Sequence, residues 1–111
     1  MQIILRDLEQ SQSSNNSETY TEPNFKVSNL VIKVTGLSVN LLGSVVFKLQ
    51  HSFDGSDWID VPGLTTGAIS VTGVTTLSID PEFSCFDHLR LAWTFNNANS
   101  VTFYGVALGT R

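Results

Sequence analysis

From Phe25 onward, apolar residues recur at every second position, in short runs broken by turn residues. Leu30, Ile32 and Val34 alternate with Val31, Lys33 and Thr35. Val45, Phe47 and Leu49 alternate with Val46, Lys48 and Gln50, and Leu77 and Ile79 with Thr76 and Ser78. Leu89, Leu91, Trp93 and Phe95 alternate with His88, Arg90, Ala92 and Thr94. Val101, Phe103, Gly105 and Ala107 alternate with Thr102, Tyr104, Val106 and Leu108. A period of two places alternate side chains on opposite faces of a strand, and no helix shares that period. Turn chemistry separates the runs at Thr35-Gly36, Leu42-Gly43, Asp54-Gly55, Pro62-Gly63, Thr72-Gly73, Asp80-Pro81 and Asn96-Asn97. Turns spaced roughly 8–12 residues apart indicate an all-β chain. The expected architecture is an antiparallel β-sandwich, jelly-roll-like, of about eight strands. One short helical turn is expected over Pro81 to Phe86, with Asp80 as its cap.

The strongest local signal is Ser52-Phe53-Asp54-Gly55-Ser56-Asp57-Trp58. Asp-Gly between two β-like runs marks a hairpin, because glycine takes a positive φ without a Cβ clash. Trp58, directly after the turn, is expected to cover the end of the core.

The N-terminal part differs. An apolar strand candidate at Gln2 to Leu8 precedes a tract from Gln10 to Glu22 that lacks aliphatic residues. This divides the chain into residues 1–18, a strand with a polar arm or loop, and residues 19–111, the sandwich. Two readings stand side by side. The segment is an arm that docks on a neighbouring subunit, or it is the first strand of its own sheet followed by a long surface loop.

In the last two strands Trp93, Phe95 and Phe103 can fill a core, and Tyr104, Val106 and Leu108 then point the other way. A solvated sheet face is more polar than that, so a second layer or a partner is expected to cover it. A length of 111 residues is enough for one self-standing domain. Charged residues make up only 14%, and Ser, Thr, Asn and Gly fill the shortfall. The net charge is −4, and Arg6, Lys26, Lys33, Lys48, Arg90 and Arg111 are scattered. Neither nucleic acid nor an anionic membrane is an expected partner, since no basic run can neutralise phosphates. Met1 to Leu5 meets Arg6 and Asp7 too soon for a secretion signal, and no apolar run reaches membrane-helix length. Cys85 stands alone, which excludes an intrachain disulfide.

Reactive chemistry is hard to find. Cys85 and His88 lie three residues apart, yet a thiol nucleophile also needs a third group to orient its base. Cys85 reads as a small apolar residue. His51 and His88 lack a further ligand at zinc spacing. Asp54, Asp57 and Asp60 fall within seven residues and could meet Ca²⁺, but the bidentate glutamate of a calcium loop is missing. Nothing selects a carboxylate pair for glycoside hydrolysis, and there is no phosphate-binding glycine loop. Asn15-Asn16-Ser17 fits a glycosylation sequon, which has meaning only in a secreted chain. The expectation is a protein that is not an enzyme and has no cofactor.

Ser-x-Asp-Gly-x-x-Trp at Ser52–Trp58 follows Leu49-Gln50-His51. It precedes Leu89-Arg90-Leu91-Ala92-Trp93 and Ser100-Val101-Thr102-Phe103, with Leu30 to Leu37 upstream. Over Thr19 to Gly109 this order resembles the small β-sandwich virion proteins of tailed bacteriophages. The resemblance implies a structural protein assembled in the host cytoplasm and located in the virion. It implies a capsid decoration (cement) protein, commonly a trimer, whose partners are the major capsid protein or other virion proteins. A tail, fibre or baseplate component is the alternative within that resemblance. The expected interface is the arm (Ile3, Leu5, Tyr20) with the outer face of the last strand (Tyr104, Val106, Leu108). The same hairpin motif also resembles discoidin-like and other carbohydrate-binding sandwiches. That competing reading implies a glycan site at Asp54, Asp57 and Trp58.

Overall fold

The computed structural model describes residues 2–111, and the side chains of all of these except residues 6–9. The Arg6-Asp7 pair that interrupts the apolar start therefore has its side chains outside the described ones. The chain is all-β and antiparallel. Its strands are β1 (Gln2–Ser11), β2 (Asn15–Asn16), β3 (Tyr20–Thr21), β4 (Lys26–Ser52), β5 (Ile59–Thr65), β6 (Gly73–Ser84) and β7 (His88–Thr110). β4 and β7 pair along their whole length, from Lys26↔Thr110 to Ser52↔His88. β1 pairs with the second half of β7, and β6 with the first half of β4. β5 pairs with the second half of β4, while β2 and β3 pair with the first half of β7.

One continuous ladder thus serves two leaves. In the first leaf the order is β6, β4 (residues 26–39), β7 (residues 98–110), β1. In the second it is β5, β4 (residues 44–52), β7 (residues 88–96), β2 with β3. The fold-over lies where the register between β4 and β7 slips, from Val39↔Ala98 to Ser44↔Asn96. Leu42 (φ 60°) and Asn97 (φ 53°) turn the backbone there. The amides of Asn40, Asn97 and Asn99 bond one another across this corner.

The turns expected at Leu42-Gly43 and Asn96-Asn97 are therefore corners inside single strands, not chain reversals, and those expected at Thr35-Gly36, Pro62-Gly63 and Asp80-Pro81 are irregularities inside β4, β5 and β6. A left-handed residue re-aims a strand at a bulge as readily as it reverses one at a hairpin, and local chemistry does not distinguish the two. The helical turn expected at Pro81 to Phe86 is replaced by strand. β6 runs to Ser84, with Phe83 paired to Val27. It is an edge strand, where the missing N–H of Pro81 costs no ladder bond.

The core lies between the leaves. Leu30, Ile32, Phe103 and Ala107 of the first leaf meet Phe47, Leu49, Leu91 and Trp93 of the second, all nearly inaccessible to solvent. Gly105 permits the close approach: a Cβ there would stand 2.7 Å from Leu91 Cδ2. Ile3 and Leu5 of β1 belong to the same core.

Candidate functional site

The sandwich presents two outer faces of different chemistry. On the first leaf, one row across the ladder reads Ile4, Val106, Val31, Thr76. Its neighbours are Tyr104, paired to Lys33, and Leu108, paired to Asn29; Val74 lies opposite Lys33 on the edge strand. Ile4 is 45% exposed and Val74 63%. Tyr104, Val106 and Leu108 lie on this side of the ladder by alternation, but Val106 is only 5% exposed and Tyr104 and Leu108 are half-buried. Ile3 and Leu5 point inward and pack in the chain's own core. Tyr20 is half-buried against that core, and its hydroxyl donates to the Leu5 carbonyl at 3.0 Å.

The second leaf is polar outside. The row there reads Asp60, Gln50, Arg90 across three strands. Gln50 Nε2 donates to Asp60 Oδ1 at 2.8 Å, and Arg90 Nε donates to Gln50 Oε1 at 2.8 Å. Lys48 pairs with Asp60 at 3.4 Å. The hydrogen bond from Gln50, then the Lys48 charge, hold the Asp60 carboxyl below its ordinary value, although partial burial opposes them. The next row runs Lys48, Ala92, Asn16. Ala92 contributes almost nothing above the sheet, so a groove of about 330 Å³ opens over it, walled by residues 14–16 and by Lys48, Gln50 and Arg90.

Trp58 belongs to this outer surface. By period two it shares a face with Asp60, and the Arg90 guanidinium stands over its ring, 4.3 Å from the centroid. The expectation that Trp58 covers the core is corrected on this ground; the buried tryptophan is Trp93. The groove residues Lys48, Gln50, Arg90 and Ala92 are visible in the sequence only as the polar half of two alternating runs. Their cross-strand register, the one signal that unites them, is tertiary.

The hairpin itself is built for shape. Asp54 Oδ1 accepts from the amides of Asp57 and Ser56 and from Ser52 Oγ, at 2.9, 2.9 and 3.0 Å. These bonds hold the Asp54 carboxyl down at about 2. Gly55 takes φ 80° at the tip. Asp54 thus spends its carboxylate on the loop, Asp57 contributes its amide, and Asp60 engages Gln50 and Lys48 at the side of the groove. Among the described residues no group of three or more His, Cys, Asp or Glu could hold a metal ion.

His51 Nδ1 accepts the Phe86 amide at 3.0 Å, and its ring stacks on Phe86 and meets Phe83 edge-on. Burial lowers its pKa. His88 instead lies 3.4 Å from Thr21 Oγ1. Burial pushes the Cys85 thiol up to about 11, the opposite of an activated nucleophile.

No protein-family model matches the chain, and no curated protein matches it. Among solved structures it is similar to a low-affinity xylan-binding module, CBM86, from the gut symbiont Roseburia intestinalis. That likeness has 11% identity and a TM-score of 0.50, covering 99% of this chain and 95% of the other. It is also similar to the SPBc2 prophage-derived protein YomS, with 13% identity and a TM-score of 0.48, covering 96% and 90%. At such identities the likeness to the xylan-binding module is one of fold.

Proposed function

We propose that this chain is a non-enzymatic bacteriophage virion protein that decorates the capsid and bridges its subunits as a small homo-oligomer, a trimer. The observation that carries the reading is the outer face of the first leaf, where Ile4 and Val74 stay exposed beside the half-buried Tyr104 and Leu108, with Lys33 and Asn29 between them. The resemblance of the Ser52–Trp58 hairpin and its flanking strands to small virion sandwiches supports it.

Magnitudes argue for many copies. Ile4 and Val74 are only 45% and 63% exposed, so covering both yields about 2–4 kcal/mol. Association costs about 4–15 kcal/mol in lost translational and rotational freedom. One face therefore binds weakly. Several linked copies on a shell bind firmly, because each later contact is made at high effective concentration.

The test has two parts. Light scattering after size exclusion reads the oligomer, and cryo-electron microscopy of particles from the producing virus locates the chain. The expected result is a trimer that Val74→Glu with Tyr104→Glu converts to a monomer of unchanged melting temperature, together with density on the capsid surface. A wild-type monomer, or particles without the chain, overturns the reading. Density on the tail retains the virion role and rejects capsid decoration.

A further inference from the structure

We propose that the groove over Ala92 binds a carboxylate-bearing saccharide. The groove lies on the leaf opposite the apolar face, so this inference stands independently of the assembly reading.

Its side chains are held in place before any ligand arrives. Arg90 is fixed at Nε by Gln50 and on its flat side by Trp58, and Gln50 is fixed in turn by Asp60. Little side-chain freedom remains to be lost on binding, which lowers one of the costs of polar recognition. The two Nη groups of Arg90 make no hydrogen bond among the described residues, and a guanidinium presents such donors in a fork that fits a carboxylate.

The charge balance selects the ligand's sign. Lys48 and Arg90 line the groove with two cations and Asp60 stands beside it bonded to Lys48 and Gln50, a local excess of one positive charge on a chain of net charge −4. Asp60 is already engaged by Gln50 and Lys48, so the spare capacity of the site is that of a donor. Lys48 and Arg90 stand on neighbouring strands, in adjacent rows, on two sides of Ala92.

The shape selects a sugar over a small anion. About 330 Å³ lies at the lower end of small-molecule sites, roughly 300–1,000 Å³. The rim carries the amides of Asn15 and Asn16 and the hydroxyl of Thr94, which suit ring hydroxyls. Two cations are too few to track a nucleic-acid backbone.

Affinity electrophoresis of the full chain, at about 0.15 M salt to suppress long-range charge effects, tests this with polygalacturonate and with neutral dextran. Polygalacturonate is expected to retard the wild type and dextran is not. Arg90→Gln removes the fork, and Ala92→Leu fills the groove without touching a polar group. Each is expected to weaken retardation at least tenfold while the fold still melts cooperatively. Lys26→Gln, which removes an exposed cation from the other leaf, is expected to change nothing. Absence of retardation, equal retardation by dextran, indifference to both groove variants, or an equal loss in Lys26→Gln each overturns the proposal.

Discussion

Trp93 and Phe103 meet edge to face with ring centroids 4.8 Å apart and planes at 67°, although both belong to β7. Ten residues of straight strand would separate them by about 33 Å at roughly 3.3 Å per residue. Their contact shows that the strand folds back over itself, and Phe47 closes the cluster against Phe103 at 4.8 Å. One strand therefore supplies both walls of the core.

Phe103→Ala is expected to remove the joint between the leaves. A buried phenylalanine truncated to alanine costs about 3–5 kcal/mol. For a chain this small that is a large part of its total stability. Urea unfolding followed by tryptophan fluorescence reads the loss. A cost within about 0.5 kcal/mol, the range of ordinary surface changes, contradicts the two-leaf packing.

Leu42 sits at φ 60° with its side chain 90% exposed. A left-handed backbone costs a non-glycine residue about 1–2 kcal/mol, and here no burial repays it. Leu42→Gly is expected to leave the fold intact and keep or raise the melting temperature, glycine's greater unfolded-state freedom offsetting part of the relief. A fall of several degrees would show that Leu42 contributes contacts that its exposure denies.

Asp54 gives the hairpin an acid-sensitive part. Its folded pKa is depressed to about 2 from an ordinary 3.8. Its contribution is therefore present above the ordinary value and is lost as the pH falls through about 2. Asp54→Asn keeps an acceptor oxygen but not the charge. The stability gap between the two proteins is expected to be constant above about pH 5 and to close toward about pH 2. A gap independent of pH refutes the role of the charge.

His51 acts in the same direction at milder pH. Burial lowers its folded pKa below the ordinary 6.5, and protonating Nδ1 breaks the bond from the Phe86 amide. Below 6.5 the unfolded chain binds the proton first, so stability falls as the pH drops and levels off once the folded ring also titrates. Urea midpoints from about pH 7.5 to about 5.5 should slope in the wild type and flatten in His51→Gln. Equal slopes in both proteins would assign the effect elsewhere.

Much was readable from residue order. The alternation of Leu89, Leu91 and Trp93 with His88, Arg90 and Ala92 predicts strand, names the inward side chains, and puts Tyr104, Val106 and Leu108 outside. Asp54-Gly55 predicts the β4–β5 hairpin. Trp58 lies outside instead, because a place directly after a turn does not distinguish core from surface. Its partner Arg90 lies on another strand, 32 positions away in the chain.

Local composition determined that this protein is all-β, where its strands carry apolar side chains, and where the β4–β5 hairpin turns. Those properties follow from period two and from residues that tolerate positive φ, both of which act over a few neighbours. Only the tertiary structure decided that Leu42-Gly43 and Asn96-Asn97 are corners within two long strands. It also decided that Lys48, Gln50 and Arg90 line one groove, with Asp60 bonded to them at its side. Register is set by the sum of distant cross-strand contacts, and no single stretch of sequence contains that sum.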